Sequence, residues 1–275
     1  FLPDGGTSES AAYAMMTMSC IAPFAYAFRS YTEPDGFTPP DQAPRLIDFN
    51  VCRDTEYGAA WQALIWTMQG NLRFPPLADS YVTTGISATY AELIALCYPT
   101  PEHFALVKAR SGDNPTGWAA RSALFYREPA APATDDAPVV QVTLPDMVFP
   151  FLSQGLLRLG ESGRDGLALL DASNWGGHHH RDSLNLYLWK DGHELLSDLG
   201  YLWDHPDKNM TVRTLAHNLV LIDGQDQKTT GRGGAFAFFA LSPRLKAMRA
   251  SSTAYDAATV YERTVVQVDH GDLGA

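Results

Sequence analysis

The first part of the chain, residues 1–126, carries hydrophobic positions at the spacing of α-helices. Apolar side chains recur every three or four residues from Tyr13 to Phe28, which predicts a helix over this segment. Pro23 is a potential kink or end of that helix. The same spacing and the turn residues between the apolar segments predict four further helices, at 54–69, 90–98, 101–111 and 117–126.

From residue 139 onward the hydrophobic spacing changes to that of β-strands. In the segment 182–189, leucines at every second position point to one side and the intervening residues to the other, and the turn residues at 190–192 predict a hairpin. Further short strands are predicted at 139–144, 155–159, 167–170, 193–198, 217–222, 235–241, 244–250 and 259–268. Many short strands separated by turns predict antiparallel sheets packed as a β-sandwich.

A segment rich in proline and alanine, residues 127–138, separates these two patterns. It has no apolar period and is therefore predicted to be a linker. The sequence thus predicts a helical domain at 1–126 and a sandwich at 139–275. Because no initiator methionine is present and the chain ends directly after a predicted strand, we expect both domains to be incomplete.

The composition is that of a globular protein and excludes two classes of partner. Apolar residues make up 45% of the 275 residues and charged residues 19%. The formal net charge of −11 disfavours binding to nucleic acid or to an anionic membrane surface, since both would repel it. The sequence has no apolar run long enough to cross a bilayer, so no membrane insertion is expected.

The three cysteines do not form a recognisable pattern. Cys20, Cys52 and Cys97 are odd in number and widely spaced, which matches neither a disulfide framework nor a zinc knuckle. We expect them to be small, buried, apolar residues.

Three consecutive histidines are the most informative feature of the second half. On a strand, His178 and His180 would face one side and His179 the other. Asp198 lies one hairpin later, and His217 begins a later predicted strand. Two imidazoles and a carboxylate suit Zn²⁺, so the sequence predicts a metal site made of His180, Asp198 and His217. The alternative is that these are separate surface or core histidines.

Three motifs in this order resemble the β-sandwich of heparinase II/III-like lyases. They are Gly-His-x-His-x-Asp-x-Leu at 177–184, Gly-x-Glu-Leu-Leu-Ser-Asp-x-Gly-Tyr at 192–201 and Thr-x-x-His-Asn-x-Val-x-x-Asp-Gly-x-x-Gln at 214–227. Asp-Gly-Gly-x-x-Glu-x-x-x-Tyr at 4–13 is similar to a segment of the helical toroid of that family, and Pro-Pro-Leu-Ala-Asp-Ser at 75–80 to a loop near its end, for which no role is assigned. The resemblance implies an α+β multidomain fold, the C-terminal part of an (α/α) toroid followed by an antiparallel β-sandwich.

The resemblance also implies a polysaccharide lyase that cleaves a uronic-acid-containing chain, of alginate or heparan type, by β-elimination. Tyr13 would be the acid and potentially also the base, and His178 would position or deprotonate the substrate. Glu9 and Arg181 are the candidate substrate-binding residues, although surface solvation is an alternative role for Arg181. The metal would be a structural Zn²⁺ that holds the strand of His178 against the cleft. The residue that neutralises the substrate carboxylate is expected before Tyr13.

Two other functions remain open at this point. One is a non-catalytic carbohydrate-binding protein on a degenerate lyase fold, against which the presence of both Tyr13 and His178 argues. The other is a zinc-dependent glycan hydrolase, but the sequence has no Gly-x-Ser-x-Gly and no His-Glu-x-x-His, and Glu9 alone is not a carboxylate pair. The expected partner is an anionic polysaccharide or oligosaccharide, and a polymeric substrate implies a periplasmic or secreted protein.

Overall fold

A computed structural model describes residues 1–111, 140–173, 178–203, 205–231 and 233–269. The chain divides into two units, each built from segments that are distant in sequence. The first unit contains Phe1–Ala14, Ala63–Gly85 and Thr143–Ala275, and the second contains Met15–Gln62 and Ile86–Val142. The predicted linker and the predicted helix at 117–126 lie outside the described residues, so the domain boundary at 127–138 stays a prediction.

Four of the predicted helices are present. Side chains cap several helix starts: Asn50 accepts from two backbone N–H groups, Ser87 from that of Tyr90 and Thr100 from that of His103. Pro23 lies within the first helix without ending it. The helix predicted from 54 onward begins at Tyr57, because Thr55 has an extended backbone. A separate short helix ends at Asp54. The helices are α1 (Ala11–Ala27), α2 (Val51–Asp54), α3 (Tyr57–Thr67), α4 (Ala88–Cys97) and α5 (Pro101–Ser111).

The larger sheet is a meander in which each strand pairs antiparallel with the next along the chain. Its five strands are β1 (Met147–Phe149), β2 (Gln154–Leu159), β3 (Gly166–Asp171), β4 (Asn185–Lys190) and β5 (His193–Leu196). The predicted hairpin between β4 and β5 is confirmed, and Asp191 and Gly192 at its turn both have positive φ, of 48° and 88°. The strand alternation in the sequence therefore located the last two strands of this sheet.

The smaller sheet packs against one face of the larger one. It contains three antiparallel strands, β6 (Gly234–Leu241), β7 (Leu245–Ser252) and β8 (Glu262–Val268). Leu157 and Leu170 of the larger sheet share a buried apolar cluster with Met248 and Ala250 of β7. The predicted antiparallel β-sandwich is confirmed.

Two predicted strands are wrong. Residues 140–144 of the predicted strand at 139–144 are irregular, and β1 forms a few residues later. The segment predicted as a strand at 217–222 follows a short 3-10 turn, Thr214–Ala216, and is a loop. The backbone N–H of Asn218 in this loop donates to the side chain of Asn185 at 3.0 Å. A side chain thus takes the place of a neighbouring strand, which apolar spacing does not reveal.

The other face of the larger sheet is covered by the segment 63–80 of the same unit. Tyr187 on β4 donates from its hydroxyl to Gln69 at 2.6 Å, and the buried guanidinium of Arg158 on β2 donates to the backbone carbonyls of Trp66 and Met68. Leu77 packs with apolar residues of the sheet in a second buried cluster. These contacts fix the path of the loop at 75–80, which borders the site described below.

The expectation for the cysteines is wrong. In the second unit, Cys52 of α2 and Cys97 of α4 form a disulfide across 45 residues of sequence, within an apolar cluster that includes Val51 and Tyr98. Cys20 is an exposed free thiol. Since the two half-cystines are brought together by the packing of separate helices, their sequence spacing carried no signal.

No helix among the described residues is both long and apolar enough to cross a membrane.

Candidate functional site

Tyr13 and His178, predicted from opposite halves of the sequence, are in direct contact. Their rings are stacked with centroids 3.5 Å apart and an interplanar angle of 20°. Tyr13 lies in the first turn of α1, and the turn before it is attached to the sheet, since the Asp4 carboxylate accepts from the backbone N–H groups of Phe151 and Leu152 at 2.8 and 3.0 Å. A phenol and an imidazole thus share one position in the first unit.

Asp79 holds both histidines of the His-x-His motif. One of its oxygens lies 3.0 Å from Nδ1 of His178, and the other lies 3.4 Å from Nε2 of His180. Burial acts to raise the pKa of Asp79, but the hydrogen bonds to His180 and His178 outweigh it, so the pKa lies below its usual value. The ionised carboxylate favours a proton on each facing nitrogen and leaves Nε2 of His178 and Nδ1 of His180 for other partners.

The two histidines differ sharply in exposure. The His178 side chain is 32% exposed, whereas that of His180 is 1% exposed. Both lie in the loop that precedes β4, outside the strand predicted at 182–189. His178 can therefore reach a bound molecule, while His180 is restricted to contacts inside the protein.

A buried cluster with the composition of a metal site lies on the inner side of this loop. Ligand atoms of His180, Asp182 and His217 lie within 4.8 Å of one another. Nδ1 of His180 and Nε2 of His217 are buried, and neither has a hydrogen-bond partner among the described residues. Two buried imidazole nitrogens that point into one space beside a carboxylate fit a divalent transition metal.

The carboxylate in this cluster is Asp182, whereas the predicted ligand Asp198 contacts the opposite edge of the His217 ring, so its role as a ligand stays a prediction. Oδ2 of Asp198 lies 2.9 Å from Nδ1 of His217, on the ring edge away from the cluster, and also accepts from Asn185 at 2.8 Å. Its other oxygen accepts from the backbone of Gly200 at 2.9 Å. Asp198 thus contacts the ring nitrogen of His217 that does not face the cluster, whereas Asp182 lies in the same loop as His180.

The surroundings of His217 raise the pKa of its imidazole. Burial acts to lower its pKa, but the hydrogen bond to Asp198 and the charge of Asp182 outweigh burial and raise it to about 9. Strong negative potential around His217 is also what a bound cation would require.

Tyr201 is a part of the site that the sequence analysis did not assign. Burial, together with the neighbouring phenol of Tyr13, raises the pKa of Tyr201 to about 12. Its backbone N–H donates to the carbonyl of Ser80 at 3.0 Å, and the Ser80 hydroxyl accepts from the backbone of Ala12 at 3.1 Å. Two features of the sequence could have indicated Tyr201. One is the Gly-Tyr pair that ends the motif at 192–201, and the other is the loop at 75–80.

The two predicted substrate-binding residues have different surroundings. Glu9 is half-buried just before α1. Arg181 donates from Nη1 to Asp226 at 3.1 Å, and the same carboxylate oxygen accepts from Nε of Arg213 at 3.1 Å. Part of the charge of Arg181 is therefore neutralised within the protein, and the substrate-binding role of both residues stays a prediction.

The chemistry available at the accessible end of the site is proton transfer. The Tyr13 hydroxyl is a hydrogen donor, and His178 offers a ring nitrogen that Asp79 does not use. Asp79 is engaged by two imidazoles, an arrangement unlike the pair of facing acids that most glycan hydrolases use.

Comparison with known proteins identifies the sequence family of the sandwich. The family model described as heparinase II/III-like, C-terminal, matches residues 144–273. A search of curated proteins found no match.

Solved structures with the same fold cover nearly the whole chain. A heparan sulfate lyase HepC mutant from Pedobacter heparinus has a TM-score of 0.69 at 14% identity and covers 98% of this chain. A heparinase III gene product has a TM-score of 0.65 at 15% identity over 98% of the chain, and another heparinase III has 0.64 at 14% over 97%. The chain spans 37%, 37% and 39% of the lengths of these three structures. The segment 144–273 thus matches the heparinase II/III-like C-terminal family, and the fold of the chain is that of the heparinase III structures.

Proposed function

We propose that the protein is a polysaccharide lyase that cleaves an anionic, uronic-acid-containing polysaccharide of heparan or alginate type by β-elimination. The observation that supports this most directly is the stacking of Tyr13 on His178, with ring centroids 3.5 Å apart. It places a proton donor and a proton acceptor side by side at the accessible end of the site. The sandwich that carries His178 matches the heparinase II/III-like family model.

The proposed reaction transfers two protons. Nε2 of His178 removes the proton at C5 of the uronate, the C4–O bond breaks, and a double bond forms between C4 and C5. The Tyr13 hydroxyl donates its proton to the departing oxygen. No water is added, so each cleavage gives one unsaturated end and one new hydroxyl.

Asp79 positions the base in this scheme. By holding Nδ1–H of His178 at 3.0 Å, it selects the tautomer whose free nitrogen is Nε2. The stack with Tyr13 then restricts rotation of the imidazole ring. Both effects orient His178 before a substrate binds, which is how a protein lowers the entropic cost of a proton transfer.

The buried cluster would hold a structural Zn²⁺ through His180, Asp182 and His217. These residues come from the loop before β4 and from the end of the turn at 214–217, so a metal held there would have a structural role and would supply no chemistry to the substrate. Asp79 faces His180 and Asp198 faces His217 on the ring nitrogens that the cluster leaves free, as carboxylates do beside metal-bound imidazoles.

A periplasmic or secreted location fits this function. Polysaccharides do not enter the cytoplasm intact. The Cys52–Cys97 disulfide is a bond that persists in oxidising compartments.

The test is incubation of the purified protein with heparan sulfate, an unsulfated glucuronic acid polymer, alginate and hyaluronan, scored by the ultraviolet absorbance of the unsaturated product. Tyr13→Phe should lower kcat roughly 10²- to 10⁴-fold with an unchanged circular dichroism spectrum. Tyr31→Phe, which changes a tyrosine of the second unit, is the matched control. Product that carries added water would favour a hydrolase, and binding without any product would favour a carbohydrate-binding protein.

A further inference from the structure

Three aromatic rings extend outward from the Tyr13–His178 pair. The ring of Tyr201, which neighbours Tyr13, has its centroid 5.4 Å from that of Tyr81 at an interplanar angle of 50°, and 5.5 Å from that of Trp203 at 65°. We call Tyr81, Tyr201 and Trp203 the aromatic platform. It is continuous with the proposed catalytic pair, and the proposed proton transfer uses none of its three rings.

The outer two rings of the platform are solvent-exposed. Tyr81 is 44% exposed and Trp203 is 57% exposed. Adjacent exposed aromatic rings are costly to hydrate and are typical of surfaces that bind a flat, partly apolar partner. The faces of pyranose rings, which carry C–H groups, are such partners.

The backbone holds the platform in place without a ligand. Tyr201 donates from its backbone to Ser80, and Gly200 donates to the side chain of Asp198. At the other edge, Tyr81 and Thr84 form a closed turn, with bonds of 3.0 Å from the Tyr81 N–H to the Thr84 hydroxyl and 2.9 Å back to the Tyr81 carbonyl. A platform fixed in this way loses little conformational freedom when a ligand binds.

One cation lies beside the outer ring of the platform. Nζ of Lys208 lies 5.6 Å from the ring centre of Trp203, within the range of a cation–π contact. The nearby carboxylate of Asp207 faces the ring nitrogen of His205 at 3.9 Å. In a chain with a net charge of −11, a lysine at the outer ring supplies local attraction that the overall field does not.

The geometry points to a second binding subsite: the aromatic platform stacks against one or two sugar residues of an acidic polysaccharide, next to the residue that is cleaved, with Lys208 facing a carboxylate. The inference rests on the proposed function, because that function defines which sugar residue is cleaved beside the platform.

Calorimetric binding of two probes tests the subsite, a hexasaccharide of alternating glucuronic acid and N-acetylglucosamine and the disaccharide of the same repeat. Trp203→Ala and Tyr81→Ala should each weaken hexasaccharide binding roughly 2- to 10-fold and leave disaccharide binding unchanged. Trp203→Phe should retain most of the affinity, and Lys208→Gln should weaken binding of the acidic hexasaccharide but not of a neutral one. Phe151→Ala, which removes another exposed aromatic ring, is the matched control.

Binding and elimination are read separately. If no uronate polymer gives unsaturated product but hexasaccharide binding depends on Trp203, the subsite stands and the lyase function fails. If elimination is observed and both platform variants bind the hexasaccharide as the parent protein does, the subsite is overturned. Equal losses in Phe151→Ala, or no hexasaccharide binding at all, overturn it as well.

Discussion

Two regions that differ in exposure lie on either side of Asp79. On one side, His178 is partly exposed and stacked on Tyr13, and on the other, His180 is buried beside Asp182 and His217. The same side chain, two positions apart in one loop, is available for proton transfer in one case and for metal binding in the other. Burial and not residue type separates the two roles, and one carboxylate connects them.

The largest expected effect lies on the exposed side. His178→Ala should lower kcat roughly 10²- to 10⁴-fold, because the proton acceptor is lost, while the melting temperature and bound metal stay as in the parent protein. Steady-state kinetics, a thermal melt and metal analysis of the same preparation check this. A large fall in metal content would show that the two regions are not separate.

The buried side should respond in the opposite way. Zn²⁺ at about 100 times its Kd should raise the free energy of unfolding of the parent protein by about 2.7 kcal/mol, and should have no such effect on His180→Ala. Denaturant unfolding with and without a chelator measures the difference. His205→Ala, which changes an exposed histidine, is the control. A protein that contains no zinc and melts identically with chelator would remove the metal from the proposal.

Asp79 should affect both regions at once. Asp79→Asn preserves the shape but removes the charge that holds the two N–H groups, so kcat and zinc affinity should each fall roughly 10- to 100-fold. Kinetics and zinc competition titration on one sample provide the two readouts. The control is Asp256→Asn, at a carboxylate that is 86% exposed. Loss of one property alone would mean that Asp79 serves only one histidine.

The smallest effect is expected at Asp198. Asp198→Asn should lower zinc affinity about 10-fold, since His217 loses its negative partner, and should change kcat little. The same titration and assay apply. A fall in kcat as large as that of Asp79→Asn would place Asp198 on the wrong side of the comparison.

The sequence predicted local structure well where one period dominated. Apolar spacing located four helices and the hairpin between β4 and β5, because side chains on one face of an element share one burial. It failed at 217–222, where the backbone is satisfied by the side chain of Asn185 and not by a neighbouring strand. It also failed for Cys52 and Cys97, which are adjacent only after separate helices pack.

The candidate site shows the same division. The motifs in the sequence were sufficient to select Tyr13, His178, His180 and His217, since their chemistry is evident from residue type and order. The sequence analysis named only Asp198 as the carboxylate of this set and could not distinguish its position from that of Asp182, which is also close to His180 in sequence. That distinction depends on which edge of the His217 ring each carboxylate faces.

The sequence by itself determined the family of the sandwich, the order of its elements and the types of side chain available for proton transfer and metal binding. Only the tertiary structure decided that Asp79 bridges two histidines and that Tyr201 contacts Tyr13. The physical reason is that hydrogen bonds and ring contacts act over a few ångströms, whereas these residues are separated by roughly a hundred or more positions along the chain. Packing of the segment 63–80 on the larger sheet brings them within that range.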